Sequence, residues 1–564
     1  MPLPDGYVPE VIVVGSGASG GMAAYVLAKA GVRTLLLEAG RNYDPAETPM
    51  FDRSREAPLA GTGTDDKPFG YYDATVNGGW QVPGEPYTSA EGSHFRWWRA
   101  RMLGGRTNHW GRHVPRFGPY DFKGRSRDGH GVDWPIGYED VAPFYDRVEK
   151  LVGVCGSQID LENHPASPPG VLHEAPKPRV PELLVEAACN ALDIPCIPTR
   201  MAILTHDLPD EHSPRQACFN ATDCTRGCSI GAAFQTTTSL LPMALATGNL
   251  RILTNAMAAR VRTDTNGRAT GVDYFEDGTP RFVAARVVVL GASACETARI
   301  LLNSIGDHAP QGLANSSGQV GRNLTDTVGA DVQATIPALF DRPRYNEDGI
   351  WMPHRYIPFW LYKEQAAGQL DFKRAYHIEF AGRFVDPVLA LGGGGDGYGA
   401  PLKADIHRTF GARINFAVRG EMLANENSYC DLDPTVKDRF GLPVLRFHWK
   451  WGDEELRMVD HASHTIARIV ERMGAKLDAP LPSPEQMISE GGSIIHELGT
   501  ARMGSDPRTS VVNQYGQTWD VPNLFLVDGA VFASNPHKNA TLTMMALAMR
   551  GMEHLVTQLR KGAL

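Results

Sequence analysis

The sequence predicts an α/β protein, a parallel sheet that binds a dinucleotide joined to a second domain, on three observations. Val11-Ile12-Val13-Val14 is an unbroken apolar, β-branched run, and Gly15-Ser16-Gly17-Ala18-Ser19-Gly20 follows it at once. Two more such runs, Val287-Val288-Val289-Leu290-Gly291-Ala292 and Leu524-Phe525-Leu526-Val527-Asp528-Gly529-Ala530, lie far downstream and also end in small residues. Runs without polar alternation read as strands buried on both faces, and small residues at their ends suit the carboxyl edge of a parallel sheet, where cofactors sit.

From Met22 to Ala30 the chain reads as a helix, ended by Gly31, and Val32 to Leu37 reads as a second buried strand with Glu38 at its end, 18 residues beyond Gly20. Strand, glycine turn, helix, strand and acid make a Rossmann-like βαβ unit. Gly15 permits the tight turn, Gly17 lets a pyrophosphate approach the backbone, Gly20 permits close helix packing, and the helix N-terminus adds partial positive charge. Glu38 can take both ribose hydroxyls, and an acid there disfavours a 2′-phosphate, so NAD or FAD is indicated over NADP. Pro45 to Tyr87, Ser157 to Pro181 and the tract Gly392 to Gly395 read as insertions or lids. The downstream strands lead into helices over Ala294 to Asn303 and Thr541 to Gly551. The nucleotide domain is therefore assembled from both ends of the chain, as segments 1–130, 200–330 and 490–564, while 131–199 and 331–489 form a substrate-binding cap built on a β-sheet. No internal repeat is found.

A chain of 564 residues has room for two to four domains at about 150 residues each. Hydrophobic residues at 42% and charged residues at 21% fit an ordinary globular protein, and the net charge of -9 without a Lys/Arg cluster argues against nucleic acid. No apolar run approaches the roughly 18 to 20 residues of a membrane span, and Met1 to Glu10 has neither the basic nor the apolar region of an export signal. Eight cysteines are too dilute for a disulfide scaffold, and most read as buried apolar thiols.

Three of them are crowded together: Cys218, Cys224 and Cys228, in Cys-Phe-Asn-Ala-Thr-Asp-Cys-Thr-Arg-Gly-Cys. This spacing suggests a metal cluster. Thiolates hold iron–sulfur clusters, and three ligands from one short loop suit a cuboidal cluster lacking one iron. Zinc is the rival, with His206 or His212 as a fourth ligand, and three unligated thiols are the bland alternative.

Five ordered motifs resemble the glucose-methanol-choline (GMC) family of FAD oxidoreductases: Val13-Val14-Gly15-Ser16-Gly17, Gly104-Gly105-Arg106-Thr107-Asn108-His109-Trp110, Gly321-Arg322-Asn323-Leu324-Thr325-Asp326, His496-Glu497-Leu498-Gly499-Thr500-Ala501-Arg502-Met503-Gly504, and Val527 to Phe532 followed by Asn539-Ala540-Thr541-Leu542-Thr543. The family's usual Asn-Pro-Thr is Asn-Ala-Thr here. The resemblance implies a flavin enzyme that takes a hydride from a carbon bearing a hydroxyl. His496 would be the base, since an imidazole with an ordinary pKa of roughly 6.5 accepts a proton near neutrality. Asn539 would hydrogen-bond the same hydroxyl, and His537 would stand in the pocket wall. FAD would be held by Gly15, Gly17, Ser19, Gly20, Glu38, Ala39, Arg41, Gly105, Asn108, His109, Val261, Asp528, Gly529, Asn539 and Thr541. His109 would lie near the dimethylbenzene ring, where some relatives attach the flavin covalently.

The cysteine run, followed by Ser229-Ile230-Gly231-Ala232, is similar to the segment that binds a three-iron four-sulfur (3Fe-4S) cluster in the family's multi-subunit sugar dehydrogenases. That resemblance implies a dehydrogenase feeding an external acceptor, with a small subunit that carries an export signal and a cytochrome c as partners. Lacking a signal of its own, the chain would reach the periplasm by co-export; the cytoplasm is the alternative. Gly104 to Arg112 resembles glucoside 3-dehydrogenases, implying oxidation at C3 of a glucose unit or glucoside. Trp351, His354, Arg355, Tyr356, His377 and Glu379 offer the aromatic face and hydrogen bonds a sugar needs. An oxygen-using oxidase and an FAD-containing lyase are the rival expectations.

Overall fold

The computed structural model describes residues 7–42, 78–208, 215–219, 224, 228, 230–343, 352–382 and 398–564. Residues 45–77 of the first irregular stretch, the Gly392–Gly395 tract, His212 and Trp351 lie outside them.

The apolar runs form one parallel sheet. β1 (Val11–Val14) leads through α1 (Ala18–Lys29) to β2 (Thr34–Leu37), which pairs with β1, Val11 opposite Thr34. β3 (Leu250–Leu253) extends the sheet beyond β2, and β4 (Val287–Leu290) pairs with the other side of β1. Beyond β4 lies the strand Leu524–Leu526, so the two ends of the chain meet in one five-stranded sheet. Every residue of β1, β2 and β4 is buried, as strands covered on both faces require. The predicted helix after β4 is found as α2 (Ala294–Asn303).

The cap is an antiparallel six-stranded sheet. At its centre β5 (Val328–Thr335) runs against the strand Arg413–Gly420, which runs in turn against β6 (Tyr376–Ala381). We label that central strand β7. Short strands at 476–477, 355–357 and 197–198 complete the sheet. The amphipathic helix α3 (Asp453–Arg472) covers one face with Met458, Val459, Ala462, Ile466 and Ile469, and Tyr376 Oη on β6 meets His461 Nδ1 on α3 at 3.0 Å. Side chains alternate across a strand, so with Tyr376 turned to α3, His377 and Glu379 face the opposite way. Arg419 on β7 is the register partner of His377 and shares that face.

The last helix, α4 (Thr541–Arg560), packs on α1 and runs nine residues beyond the Gly551 expected from sequence. The helix Tyr138–Val152, assigned to the cap in the sequence analysis, packs on α4, with Tyr145 Oη 2.8 Å from Thr543 Oγ1. Among the described residues, no helix is long and apolar enough to cross a membrane.

Candidate active site

A cavity of about 400 Å³ opens where the carboxyl ends of β1, β2 and β4 meet the cap, and its walls include Gly15 to Ser19, Glu38, Ala39, Gly105, His109, Asp528, Gly529, Asn539 and Thr541. The glycine turn fits a pyrophosphate. A Cβ at Gly20 would stand 1.9 Å from Gly15 O, so α1 can approach the turn only without a side chain there, whereas a Cβ at Gly17 would enter open space. The amides of α1 beyond Gly17 carry no side-chain cap, which leaves a helix N-terminus directed at the cavity. Glu38 is fixed at the end of β2 by Ser16 Oγ at 2.5 Å and the Gly40 amide at 2.9 Å, and burial pushes its carboxyl pKa up. Gly104 N donates to the same Ser16 Oγ at 2.8 Å, closing the Gly104–His109 loop over the turn.

Asp528 terminates its strand with both oxygens engaged: it accepts from Thr297 Oγ1 at 2.6 Å, the Ser293 amide at 3.1 Å and the Ala530 amide at 2.9 Å. Burial raises its carboxyl to about 6. Asn539 and Ala540 lead into α4, and the Asn539 Oδ1 is buried without a hydrogen-bond partner among the described residues. A buried amide oxygen left unmatched on a cavity wall is open to a donor from a bound group or a water. The open cradle at Gly17, the ribose-ready acid and this oxygen together fit FAD.

His496 is held on three sides. Its amide donates to Asp326 Oδ1 at 2.9 Å, its carbonyl accepts from Asn535 Nδ2 at 3.2 Å, and its Nδ1 lies 3.0 Å from Thr327 Oγ1. Donation of Nδ1–H to Thr327 Oγ1 would leave the lone pair on Nε2, and His496 lines the same cavity as Asn539. Burial, helped by the Arg419 guanidinium, pushes the His496 pKa down to about 3, so the imidazole is uncharged at neutral pH. The preceding Ile495 has φ +66°, a conformation costly for a β-branched residue. Arg106 holds it there: its Nη1 donates to Ile495 O at 3.2 Å, and its guanidinium grips Glu497 at 2.6 and 3.0 Å. Asp326 binds the Ile494 and His496 amides, and burial beside Glu497 lifts its carboxyl to about 7.

The remaining expected residues divide. His109 lines the cavity, its Nε2 accepting from Trp98 Nε1 at 3.0 Å, and burial drives its pKa down to about 3. Glu379 reaches the cavity from β6, and His537 stands behind it, 3.3 Å from His377 between their Nδ1 atoms. Asn108, Arg41, Arg355 and Val261 are placed off the cavity wall, as are Gly20, His354, Tyr356 and His377. Asn108 Nδ2 donates to Leu103 O at 2.8 Å, Arg41 pairs by backbone with Met102, and Arg355 faces Glu186 at 3.4 Å. Val261 gives its amide to Ser304 Oγ at 2.9 Å, while Ala256, Met257 and Ala258 of the same strand line the wall instead. Sequence reasoning missed Arg106, Glu497, His113 and Arg419, all in the wall. Arg106 and Glu497 sit inside quoted motifs; nothing local marks His113 or Arg419.

Cys218, Cys224 and Cys228 come together on one apolar cluster with Met201, Ile203, Ala233, Met352 and a fourth cysteine, Cys155. Met352 also lines the cavity, and the Arg112 guanidinium reaches from the cavity wall to Cys224 O. The buried Arg215 adds positive charge beside this loop, its guanidinium bound to the carbonyls of Val152, Gly231 and Ala232. Soft thiols, a compensating cation and an apolar surround suit an iron–sulfur cluster.

Two family profiles described as GMC oxidoreductase match residues 19–328 and 425–548. The chain is 31% identical over 560 residues to 2-methyl-1,2-propanediol dehydrogenase of Mycolicibacterium austroafricanum, covering 97% of this chain and 95% of that one. It is 27% identical over 573 residues to the fructose dehydrogenase large subunit of Gluconobacter japonicus, covering 98% of each. The crystal structure of pyridoxine 4-oxidase from Mesorbium loti shares the fold, with a TM-score of 0.63 at 17% identity, over 97% of this chain and 99% of that one. With the first profile covering more than half of the chain and the second the His496–Asn539 segment, the chain belongs to the GMC oxidoreductase family of FAD enzymes that oxidise alcohol hydroxyls.

Proposed function

We propose that this chain is an FAD-dependent dehydrogenase that oxidises a secondary hydroxyl, at C3 of a glucose unit or glucoside, to a ketone and sends the electrons out through an iron–sulfur cluster. The observation that carries the reading is a single cavity bounded by the glycine turn on one side and by His496 and Asn539 on the other. FAD, when bound, supplies the two-electron acceptor. His496 Nε2 takes the hydroxyl proton, and the Asn539 side chain holds the same oxygen in place. The imidazolium so formed is buried, and Glu379 nearby offsets part of its charge. The N-terminus of α4 points partial positive charge at the cavity, where negative charge accumulates during reduction.

Cys218, Cys224 and Cys228 would hold the cluster, three ligands corresponding to the 3Fe-4S form. Their contact with Met352, itself in the cavity wall, supports a short electron route away from the flavin. An acceptor such as cytochrome c and a small subunit bearing the export signal would complete the enzyme, in the periplasm. The test is anaerobic titration with methyl glucoside, glucose and cellobiose, following flavin absorbance, reading product position by NMR and measuring iron and acid-labile sulfide. Bleaching by methyl glucoside with a 3-keto product and bound iron is expected. Hydrogen peroxide formed in step with sugar, in iron-free protein, would make it an oxidase instead.

A further inference from the structure

On the cap face over the cavity, beside the His496–Asn539 pair, lies a buried polar group. Glu379 Oε1 sits 2.8 Å from His113 Nδ1 and 3.3 Å from His377 Nε2, while its Oε2 lies 3.6 Å from Arg419 Nε. Behind it, His377 Nδ1 meets His537 Nδ1. His113, Glu379 and Arg419 all line the cavity, and His113 Nε2 is buried without a partner among the described residues. This cap-face patch of the wall holds one carboxylate, Glu379, and one guanidinium, Arg419, and burial pushes His377 down to about 4 and His537 well below its ordinary value, so neither adds charge to the patch at neutral pH.

The charges are already balanced. We propose that His113, Glu379 and Arg419 bind adjacent hydroxyls of a neutral polyol and exclude rings that carry a carboxylate or an ammonium group. A vicinal diol donates to Glu379 and to the His113 lone pair and accepts from Arg419, so it satisfies every group without bringing a charge. A carboxylate or ammonium would leave a net charge in a desolvated wall, at a cost that hydroxyls avoid. The inference rests on reading the cavity as a hydroxyl-oxidising site. His113, His377 and Glu379 also place three metal-type ligand atoms within 4.8 Å of one another. Arg419, however, already neutralises Glu379, so a divalent ion there would have no net negative charge to offset its own.

The test uses FAD-loaded enzyme at about pH 8, where imidazoles are uncharged and alkyl amines charged. Anaerobic flavin reduction is measured with methyl glucoside and with its analogues carrying a carboxylate or an aminomethyl group at C6. The neutral glycoside should react best with the native enzyme. Glu379→Gln should raise the carboxylate-to-neutral ratio of second-order rate constants about tenfold or more, and Arg419→Met should raise the amino-to-neutral ratio similarly. Because each ratio is taken within one variant, partial loss of folded protein cancels. Ratios that stay at the native values in both variants, or move together, overturn the proposal while leaving the hydroxyl-oxidising reading intact. A native flavin that no glycoside reduces overturns that reading and the proposal with it.

Discussion

Ile495, held at φ +66° with its amide on the Gly492 carbonyl, shows how single residues set the His496 imidazole. The strain persists because Arg106 binds its carbonyl and Asp326 binds the amides on either side. Removing Arg106 leaves the Glu497 carboxylate, 3% exposed, without its cation. Arg106→Met should therefore cost about 3 kcal/mol of stability, read from urea unfolding of the flavin-loaded protein, and should slow flavin reduction as well. An unchanged midpoint would show that the pair contributes little. His496 and Asn539 were legible in sequence because their motifs are local. Glu379 was legible as a polar residue within a candidate stretch, but Arg419 and His113 were not, since antiparallel register and a distant loop bring them to it and neither carries a signature of its own. Trp351 lies outside the described residues.

Among elements, the glycine turn separates two roles that sequence presents as one motif. Gly20→Ala would force a methyl group to 1.9 Å from Gly15 O and should destabilise the apoprotein, whereas Gly17→Ala meets nothing within 4 Å and should fold but bind FAD weakly. Thermal melts with and without FAD distinguish the two; equal apoprotein melting of both variants would contradict this geometry. The cysteine loop is the second element with a separable role. Cys224→Ser should spare flavin reduction by sugar and slow electron transfer to cytochrome or dye, with iron content falling; iron equal to the native protein would contradict the cluster. The strands of the parallel sheet were readable as uninterrupted apolar runs, and α2 was found at the expected residues. The length of α4 was underestimated because Gly551 reads as a stop, while in the fold it sits against the Tyr515 carbonyl, where a side chain would not fit.

At the scale of the whole molecule, the cavity lies between two sheets that the chain builds from widely separated segments, so catalysis depends on their docking. Its buried imidazoles tie that docking to pH. His109 and His496 at about 3 and His377 at about 4 are uncharged in the fold but charged in an acid-unfolded chain. The unfolded state thus binds more protons below about pH 6.5, so these groups impose no penalty above that value and a growing one as pH falls toward 3. Asp326, raised to about 7, acts in the opposite sense between about pH 4 and 7, where the fold keeps the proton that the unfolded chain releases. Flavin reduction should stay level from about pH 5 to 8 if His496 is the titrating base; a sigmoidal rise centred near 6.5 would indicate an imidazole less buried than the fold shows. The most direct measurement is anaerobic stopped-flow reduction of bound FAD by methyl glucoside in native protein and in His496→Ala. The account predicts rapid bleaching in the native enzyme and a loss of about a thousandfold in the variant at equal FAD content. Bleaching of His496→Ala at the native rate, or protein that folds without taking up FAD, would contradict it.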